Sequence, residues 1–171
     1  MSERHPGLTL EVAAFYLQAA QVCLDRHHTS PTKFALSEND EDQPTEVEWD
    51  ATDERIRNAW DNDTDRTEAG AYACSLAAVE LAKGLVAVSR AETNTGADYY
   101  IAPAGYGKDD LENCLRLEVS GIDQGPISLI ASRLRMKIQQ TKNGRSNLPA
   151  IAAVTGFEAK LIMLQVASET Q

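Results

Sequence analysis

The stretch Leu-Arg-Leu-Glu-Val-Ser-Gly at positions 115–121 places one acid, Glu118, inside an otherwise apolar strand pattern. A second short segment, Thr-Gly-Ala-Asp-Tyr-Tyr-Ile at 95–101, carries Asp98 among aromatic and β-branched residues. Both segments have the composition of β-strands. A carboxylate on a buried strand is costly unless it meets a cation or a hydrogen-bond donor. Because two carboxylates on neighbouring strands form a hard-oxygen site, the pair predicts a site suited to Mg²⁺.

The segments around these two acids alternate between helical and strand periodicity. The longest is an alanine-rich helix over 67–83, which Gly84 ends, and a Gly/Pro loop over 103–110 makes the two acid-bearing strands antiparallel neighbours. The order helix, strand, strand, strand, helix, strand predicts an α/β fold with a central mixed β-sheet flanked by helices. The other elements predicted here are strands at 85–89, 97–102, 115–121, 151–155 and 160–166, and a helix at 126–142.

The first third of the chain predicts a helix followed by a hairpin. Helical spacing covers 9–25, where Thr9 can cap the first turn. The pattern then predicts a strand at 32–36, a polar loop at 37–44, an edge strand at 46–49, a short helix at 53–60 and a loop at 61–65. The length of 171 residues fits one domain, with 1–66 as an N-terminal helix, hairpin and acidic segment and 67–171 as the core.

The charge of the chain is concentrated in one segment. The net charge is −10, and positions 38–68 hold 13 acids and 3 bases while the rest of the chain is balanced. An acidic protein does not attract nucleic acid through its overall field, which argues against an isolated, non-specific nuclease. The charge instead favours a localised contact surface, or help from a protein partner or a homo-oligomer.

Three cysteines without a CxxC pair fit reduced thiols in a cytoplasmic protein. The sequence has neither an apolar run of eighteen residues nor an N-terminal apolar signal region. We therefore expect a cytoplasmic protein with no membrane association.

The series of acids and elements resembles the PD-(D/E)XK nuclease-like superfamily. Glu68 on a helix, Asp98 on one strand and Glu118 on the next, followed by a helix and a strand, carry the resemblance over 67–155. The resemblance implies a restriction-endonuclease-like core in which Asp98 and Glu118 hold Mg²⁺ or Mn²⁺ and Glu68 assists. It also implies cleavage of nucleic-acid phosphodiesters.

The lysine that the superfamily carries two residues after the second acid is replaced here by Ser120. Serine can hydrogen-bond a water but cannot supply the positive charge that phosphoryl transfer needs. Lys137 on the following helix is the predicted replacement, and Arg133 shares its face because the two are four residues apart. The basic residues of this region form the predicted phosphate-facing surface: Arg133, Arg135, Lys137, Lys142 and Arg145.

Two functions follow from this pattern. The first is a Mg²⁺-dependent nuclease, in a context that the resemblance implies: the cutting subunit of a bacterial defence or DNA-processing assembly. The second is a catalytically inactive protein of the same fold that joins a larger complex through its acidic segment. Each acid also has a structural interpretation: Asp98 bonding backbone donors at a strand end, Glu118 pairing with Arg116 or Arg135, and Glu68 favoured by its helix dipole alone.

Overall fold

The computed structural model of the protein describes residues 1–39 and 41–167, with Lys108 described by its backbone only. Within these ranges the chain forms four α-helices, seven strands and one 3₁₀ segment. In chain order they are α1 (Leu10–His27), β1 (Thr32–Glu38), β2 (Glu41–Val47), α2 (Glu54–Ala59), α3 (Asp63–Lys83), β3 (Leu85–Arg90), β4 (Tyr99–Pro103), the 3₁₀ segment (Lys108–Asn113), β5 (Leu115–Ile122), α4 (Ile127–Asn143), β6 (Ala150–Gly156) and β7 (Leu161–Ala167).

All seven strands join one mixed sheet in the order β2-β1-β7-β6-β5-β4-β3. The β1–β7 and β5–β6 pairs are parallel, and the other neighbours are antiparallel. Helices α1 and α3 share the main hydrophobic core with one face of the sheet, which includes Leu117 and Ile151. Helix α4 packs Ile130 and Leu134 on the other face against Val154. The predicted α/β class, with a central mixed sheet flanked by helices, is therefore confirmed.

Two predicted loops are wrong. The segment 37–44 belongs to a tight β1–β2 hairpin, whose ladder runs from Thr32 opposite Val47 to Glu38 opposite Glu41; Asp40 lies outside the described residues. The strands predicted at 32–36 and 46–49 correspond to β1 and β2, but polar side chains concealed the parts of both strands next to the turn, because β2 is an exposed edge strand of the sheet. The loop predicted at 61–65 is largely the first turn of α3, because the Asn62 side chain accepts a hydrogen bond from the Asp65 amide and caps the helix one turn earlier.

The fourth strand begins at Tyr99, so Asp98 lies immediately before the strand rather than within it. The Asp98 amide still donates to the Leu117 carbonyl at 2.8 Å, which adds one backbone hydrogen bond to the β4–β5 ladder. After Leu117, β5 no longer pairs with β4 but continues beside β6. Asp98 therefore lies where two strands separate, and its carboxylate can reach backbone groups of β5.

Two glycines permit close approaches around this point. A Cβ atom on Gly121 would lie 2.5 Å from the Thr67 carbonyl oxygen, so α3 rests directly on β5. A Cβ atom on Gly144 would lie 2.0 Å from the Thr95 carbonyl oxygen, so the loop before Asp98 packs against the end of α4. These contacts fix α3 and α4 relative to the strands that carry Asp98 and Glu118. Among the helices in the described ranges, none has the length and apolar character needed to cross a membrane.

Candidate active site

Asp98 and Glu118 lie on neighbouring chain segments at the same level of the sheet. Strands β4 and β5 pair Tyr99 with Leu117, and Asp98 and Glu118 each lie one residue beyond this pair, at the same end of it. A hydrogen bond between the two carboxyl groups places them in contact. The two acids singled out in the sequence are thus brought together, on β5 and at the entry to β4.

The Asp98 carboxylate is held by two donors. Its Oδ2 atom accepts the Val119 amide hydrogen bond at 2.8 Å, and its Oδ1 atom accepts the Tyr72 hydroxyl at 2.7 Å. Burial, and after it the Asp98 charge, raises the pKa of Tyr72 well above its usual value, so the hydroxyl stays protonated and donates. Asp98 therefore does bond a backbone donor, as its structural interpretation from the sequence proposed, and the two hydrogen bonds fix the orientation of its carboxylate.

The Glu118 side chain faces α4 and is only 3% exposed. The Lys137 Nζ atom lies 2.5 Å from its Oε1 atom. Neither of the alternative partners considered from sequence fills this position. Arg116 donates instead to the carbonyl groups of Leu148 and Thr141, and Arg135 is exposed. Lys137 therefore reaches the acid from the next helix.

The environment of Glu118 favours its protonated form. Burial and, after it, repulsion by the Asp98 charge raise the pKa of Glu118 to about 7, against the lowering effect of the Lys137 contact. A hydrogen bond between the two carboxyl groups acts in the same direction as burial. Two carboxyl groups in contact repel each other when both are ionised, which adds to the effect of burial on the pKa of Glu118.

Ser120 accepts a hydrogen bond from the Arg133 Nη1 atom at 3.2 Å. Ser120 and Glu118 are two residues apart on β5 and therefore face the same side of the sheet. Arg133 and Lys137 thus approach this strand from one face of α4. The serine supplies no charge, but its contact keeps a guanidinium beside the acid pair.

Glu68 lies on α3 with an exposed side chain. In the described part of the chain it makes no hydrogen bond or ion pair, whereas Tyr72, one helical turn later, contacts Asp98. No group of three or more His, Cys, Asp and Glu side chains among the described residues is arranged to hold a metal ion. The acids that meet are accordingly a pair, with Glu68 at the periphery of the site.

Sequence reasoning missed Tyr72 and Arg90. Arg90 ends β3 opposite Tyr99, and its Nη2 atom lies 3.9 Å from the Asp98 Oδ1 atom. The spacing of Tyr72 from Glu68, one turn apart on one helix, was a usable signal for the first. Nothing local indicated Arg90, because its approach to Asp98 depends on the β3–β4 pairing.

Comparison of the chain with protein-family models, with curated protein sequences and with solved structures found no match in any of the three. The function therefore has to be inferred from the geometry of the chain itself.

Proposed function

We propose that the protein is a nuclease-like protein that hydrolyses nucleic-acid phosphodiester bonds with the help of a divalent cation. The observation that carries the proposal is the buried contact between Glu118 and Lys137 beside the oriented carboxylate of Asp98. Two acids and a lysine from three different elements converge, and phosphodiester hydrolysis needs such a combination of anionic cation ligands and positive charge.

The order of elements around the site also supports the proposal. From α3 to β6 the chain runs helix, three antiparallel strands, helix and a strand parallel to β5, with α3 and α4 on opposite faces of the sheet. This is the arrangement that a PD-(D/E)XK-like core implies. The two acids lie beside the first residue of β4, where β5 continues beyond its pairing with β4.

Asp98 and Glu118 would hold Mg²⁺ or Mn²⁺. Burial and, after it, repulsion by the Asp98 charge raise the pKa of Glu118 even in the presence of Lys137, which supports a role for an additional cation at the pair. Mg²⁺ in phosphoryl-transfer sites commonly uses one or two carboxylates and takes its other oxygen ligands from water and substrate phosphate, so a pair suffices. When bound, the cation would polarise a phosphoryl oxygen and make a water more acidic.

The residues of the chain itself have separate tasks in this proposal. The Tyr72 hydroxyl and the Val119 amide keep the Asp98 carboxylate in one orientation. Lys137 supplies the positive charge that Ser120 cannot, and Ser120 holds Arg133 on the same side. Substrate contact would be local: Arg135, Lys142 and Arg145 are exposed on or just after α4, whereas the excess acidity lies in 38–68. A protein partner or a second copy would extend that contact.

The test is cleavage of single- and double-stranded DNA and RNA by the purified protein with Mg²⁺ or Mn²⁺, and with EDTA. Asp98→Asn should abolish cleavage, and Lys137→Met should lower the rate by about 100-fold or more. The matched control is Lys33→Met, at an exposed lysine of β1 outside the proposed contact surface, which should leave the rate within about twofold of wild type.

A thermal-shift titration with Ca²⁺ provides a readout that does not depend on cleavage. The wild type should be stabilised by the ion and Asp98→Asn should not, because binding to the folded state alone raises its stability. Absence of both cleavage and divalent-dependent stabilisation would remove the enzyme interpretation.

The second candidate function is an inactive protein of this fold that joins a complex. The observation in its favour is β2, an edge strand whose outward side chains include Glu41, Asp42 and Glu46, all exposed. An exposed strand edge can accept another strand, and its acids would select a basic partner. In that case Glu41→Lys with Asp42→Lys should weaken complex formation most at low salt, while Asp98→Asn should not affect it.

A further inference from the structure

Arg90 is held beside the acid pair by two aromatic rings. Its guanidinium carbon lies 4.6 Å from the centroid of the Tyr99 ring and 5.2 Å from that of the Tyr72 ring. Tyr16 reinforces this arrangement, because it stacks on Tyr72 at a centroid distance of 4.9 Å and its hydroxyl lies 2.9 Å from the Tyr99 hydroxyl. The Arg90 guanidinium therefore lies against two aromatic rings that are themselves packed together.

The Arg90 side chain also remains accessible, since 53% of it is exposed. Its 3.9 Å approach to Asp98 is an ion-pair distance that is too long for a hydrogen bond. The carboxylate oxygen that Arg90 faces already accepts the Tyr72 hydroxyl. A guanidinium has five N–H donors in a fixed plane, so a half-exposed one without a bidentate carboxylate partner can receive another anion.

Arg90 is a third cation near the two acids, in addition to Lys137 and Arg133. Lys137 and Arg133 approach β5 from the α4 face of the sheet. Arg90 stands opposite Tyr99, whose ring belongs to the core shared with α1 and α3, and so approaches from the other face. A phosphodiester that reached the acid pair would have positive charge on both sides. Because the acidic segment 38–68 gives the protein a net negative charge, a polyanion has to be bound through such localised positive charges.

We propose that Arg90 binds non-bridging phosphate oxygens of the nucleic-acid backbone next to the acid pair, with Tyr72 and Tyr99 holding its guanidinium in the receiving orientation. The proposal rests on the function proposed above, and it names a substrate-binding residue on the sheet face opposite the basic helix. Bidentate hydrogen bonding of a planar guanidinium to phosphate is stronger and more directional than the contact of an ammonium group.

The test is binding of fluorescently labelled single- and double-stranded DNA in Ca²⁺, which separates binding from cleavage. Arg90→Met should weaken binding by about 10- to 100-fold, as expected for loss of a charge-assisted hydrogen-bonded contact. It should also reduce the slope of log K against log salt by about one phosphate contact. Arg90→Lys keeps the charge but loses the planar fork, and it should weaken binding by at least about fivefold. Arg55→Met, at an exposed arginine of α2 outside the proposed contact surface, is the matched control and should change affinity by less than about threefold.

A purely structural role of Arg90 predicts a different pattern. Arg90→Met would then lower the melting temperature while leaving the salt slope of the folded protein unchanged, and Arg90→Lys would bind as wild type; either result overturns the proposal. In the cleavage assay we expect Arg90→Met to raise KM with kcat within about threefold of wild type, because ground-state and transition-state phosphate are bound alike.

The outcomes also separate this proposal from the proposed function. Cleavage that requires Asp98 but is indifferent to Arg90 would overturn the phosphate contact alone. Binding that depends on Arg90, with neither cleavage nor stabilisation by divalent ions, would support the phosphate contact and remove the nuclease. Failure of the labelled strands to bind at any salt concentration would also overturn the proposed phosphate contact of Arg90.

Discussion

Lys137→Met should destabilise the protein in a strongly pH-dependent way. The substitution removes the ammonium group that lies 2.5 Å from the buried Glu118 carboxylate and keeps a similar aliphatic chain. Burial and the Asp98 charge raise the pKa of Glu118 to about 7 in the presence of Lys137. Without Lys137 that pKa rises further, so the carboxyl group remains protonated over the neutral range instead of being left as an unpaired buried charge.

The size of the effect follows from the ionisation that the variant loses. In the folded wild type, ionisation of Glu118 contributes RT ln(1 + 10^(pH − pKa)) relative to the protonated form. With a pKa of about 7 this quantity is about half a kcal/mol near pH 7 and about 3 kcal/mol near pH 9. The destabilisation caused by Lys137→Met should therefore grow by about 2 kcal/mol between those two pH values.

Urea unfolding of the wild type and the variant at several pH values from 6 to 9 measures this difference. Two controls isolate its origin. Lys142→Met, on the exposed side of the same helix, should show no such growth. In the Glu118→Gln background, which has no titrating carboxyl group, the effect of Lys137→Met should be independent of pH. A destabilisation equal at pH 6 and pH 9 would refute the assignment of Lys137 as the counter-charge of a buried, titrating Glu118.

Three further predictions concern stability. Glu118→Gln removes a carboxyl group whose pKa is higher in the folded than in the unfolded state, so this group makes the wild type lose stability as the pH rises from about 4.5 to about 7. In thermal or urea unfolding the variant should therefore be more stable than the wild type by up to about 3 kcal/mol above pH 7, and the two proteins should be alike near pH 4. Gly144→Ala places a Cβ atom 2.0 Å from the Thr95 carbonyl oxygen and should cost about 1–3 kcal/mol or more of unfolding free energy, with loss of any Ca²⁺-dependent stabilisation, since that loop leads to the acid pair; an unchanged urea midpoint would contradict the close approach. Buried His5 accepts the Ala87 amide hydrogen bond through Nδ1, and burial lowers the pKa of its imidazole. The stabilisation from the neutral imidazole is therefore present above about pH 6.5 and is lost as the pH falls through the lowered pKa. His5→Gln should make the free energy of unfolding less dependent on pH in this acidic range, and an unchanged pH dependence would contradict the role of His5.

The sequence predicted the elements of the core well because their periodicity is local. The alanine-rich helix and the strand around Glu118 were found within a few residues of their observed bounds. Errors fell where tertiary contacts override local character. The acidic strand β2 is stabilised by pairing with β1 rather than by burial, and its polar residues at 41–44 therefore gave the pattern of a loop.

For the candidate site, the sequence supplied the residue types and the structure supplied their relations. An acid between apolar neighbours is detectable in the sequence because burying a carboxylate is expensive. Helical spacing linked Arg133 to Lys137, since residues four apart share a face. The sequence left Lys137, Arg116 and Arg135 as competing neighbours of Glu118, because the partner depends on how α4 lies across β5.

By itself, then, the sequence determined the α/β class, the two acids on neighbouring strand segments and a serine at position 120. Only the tertiary structure decided that Lys137 pairs with Glu118, that Tyr72 orients Asp98 and that Arg90 stands beside them. The physical reason is that local periodicity fixes which face a side chain occupies, whereas the meeting of side chains from α3, β3, β5 and α4 depends on strand register and helix packing. Those are properties of the whole sheet, and segments far apart in sequence set them.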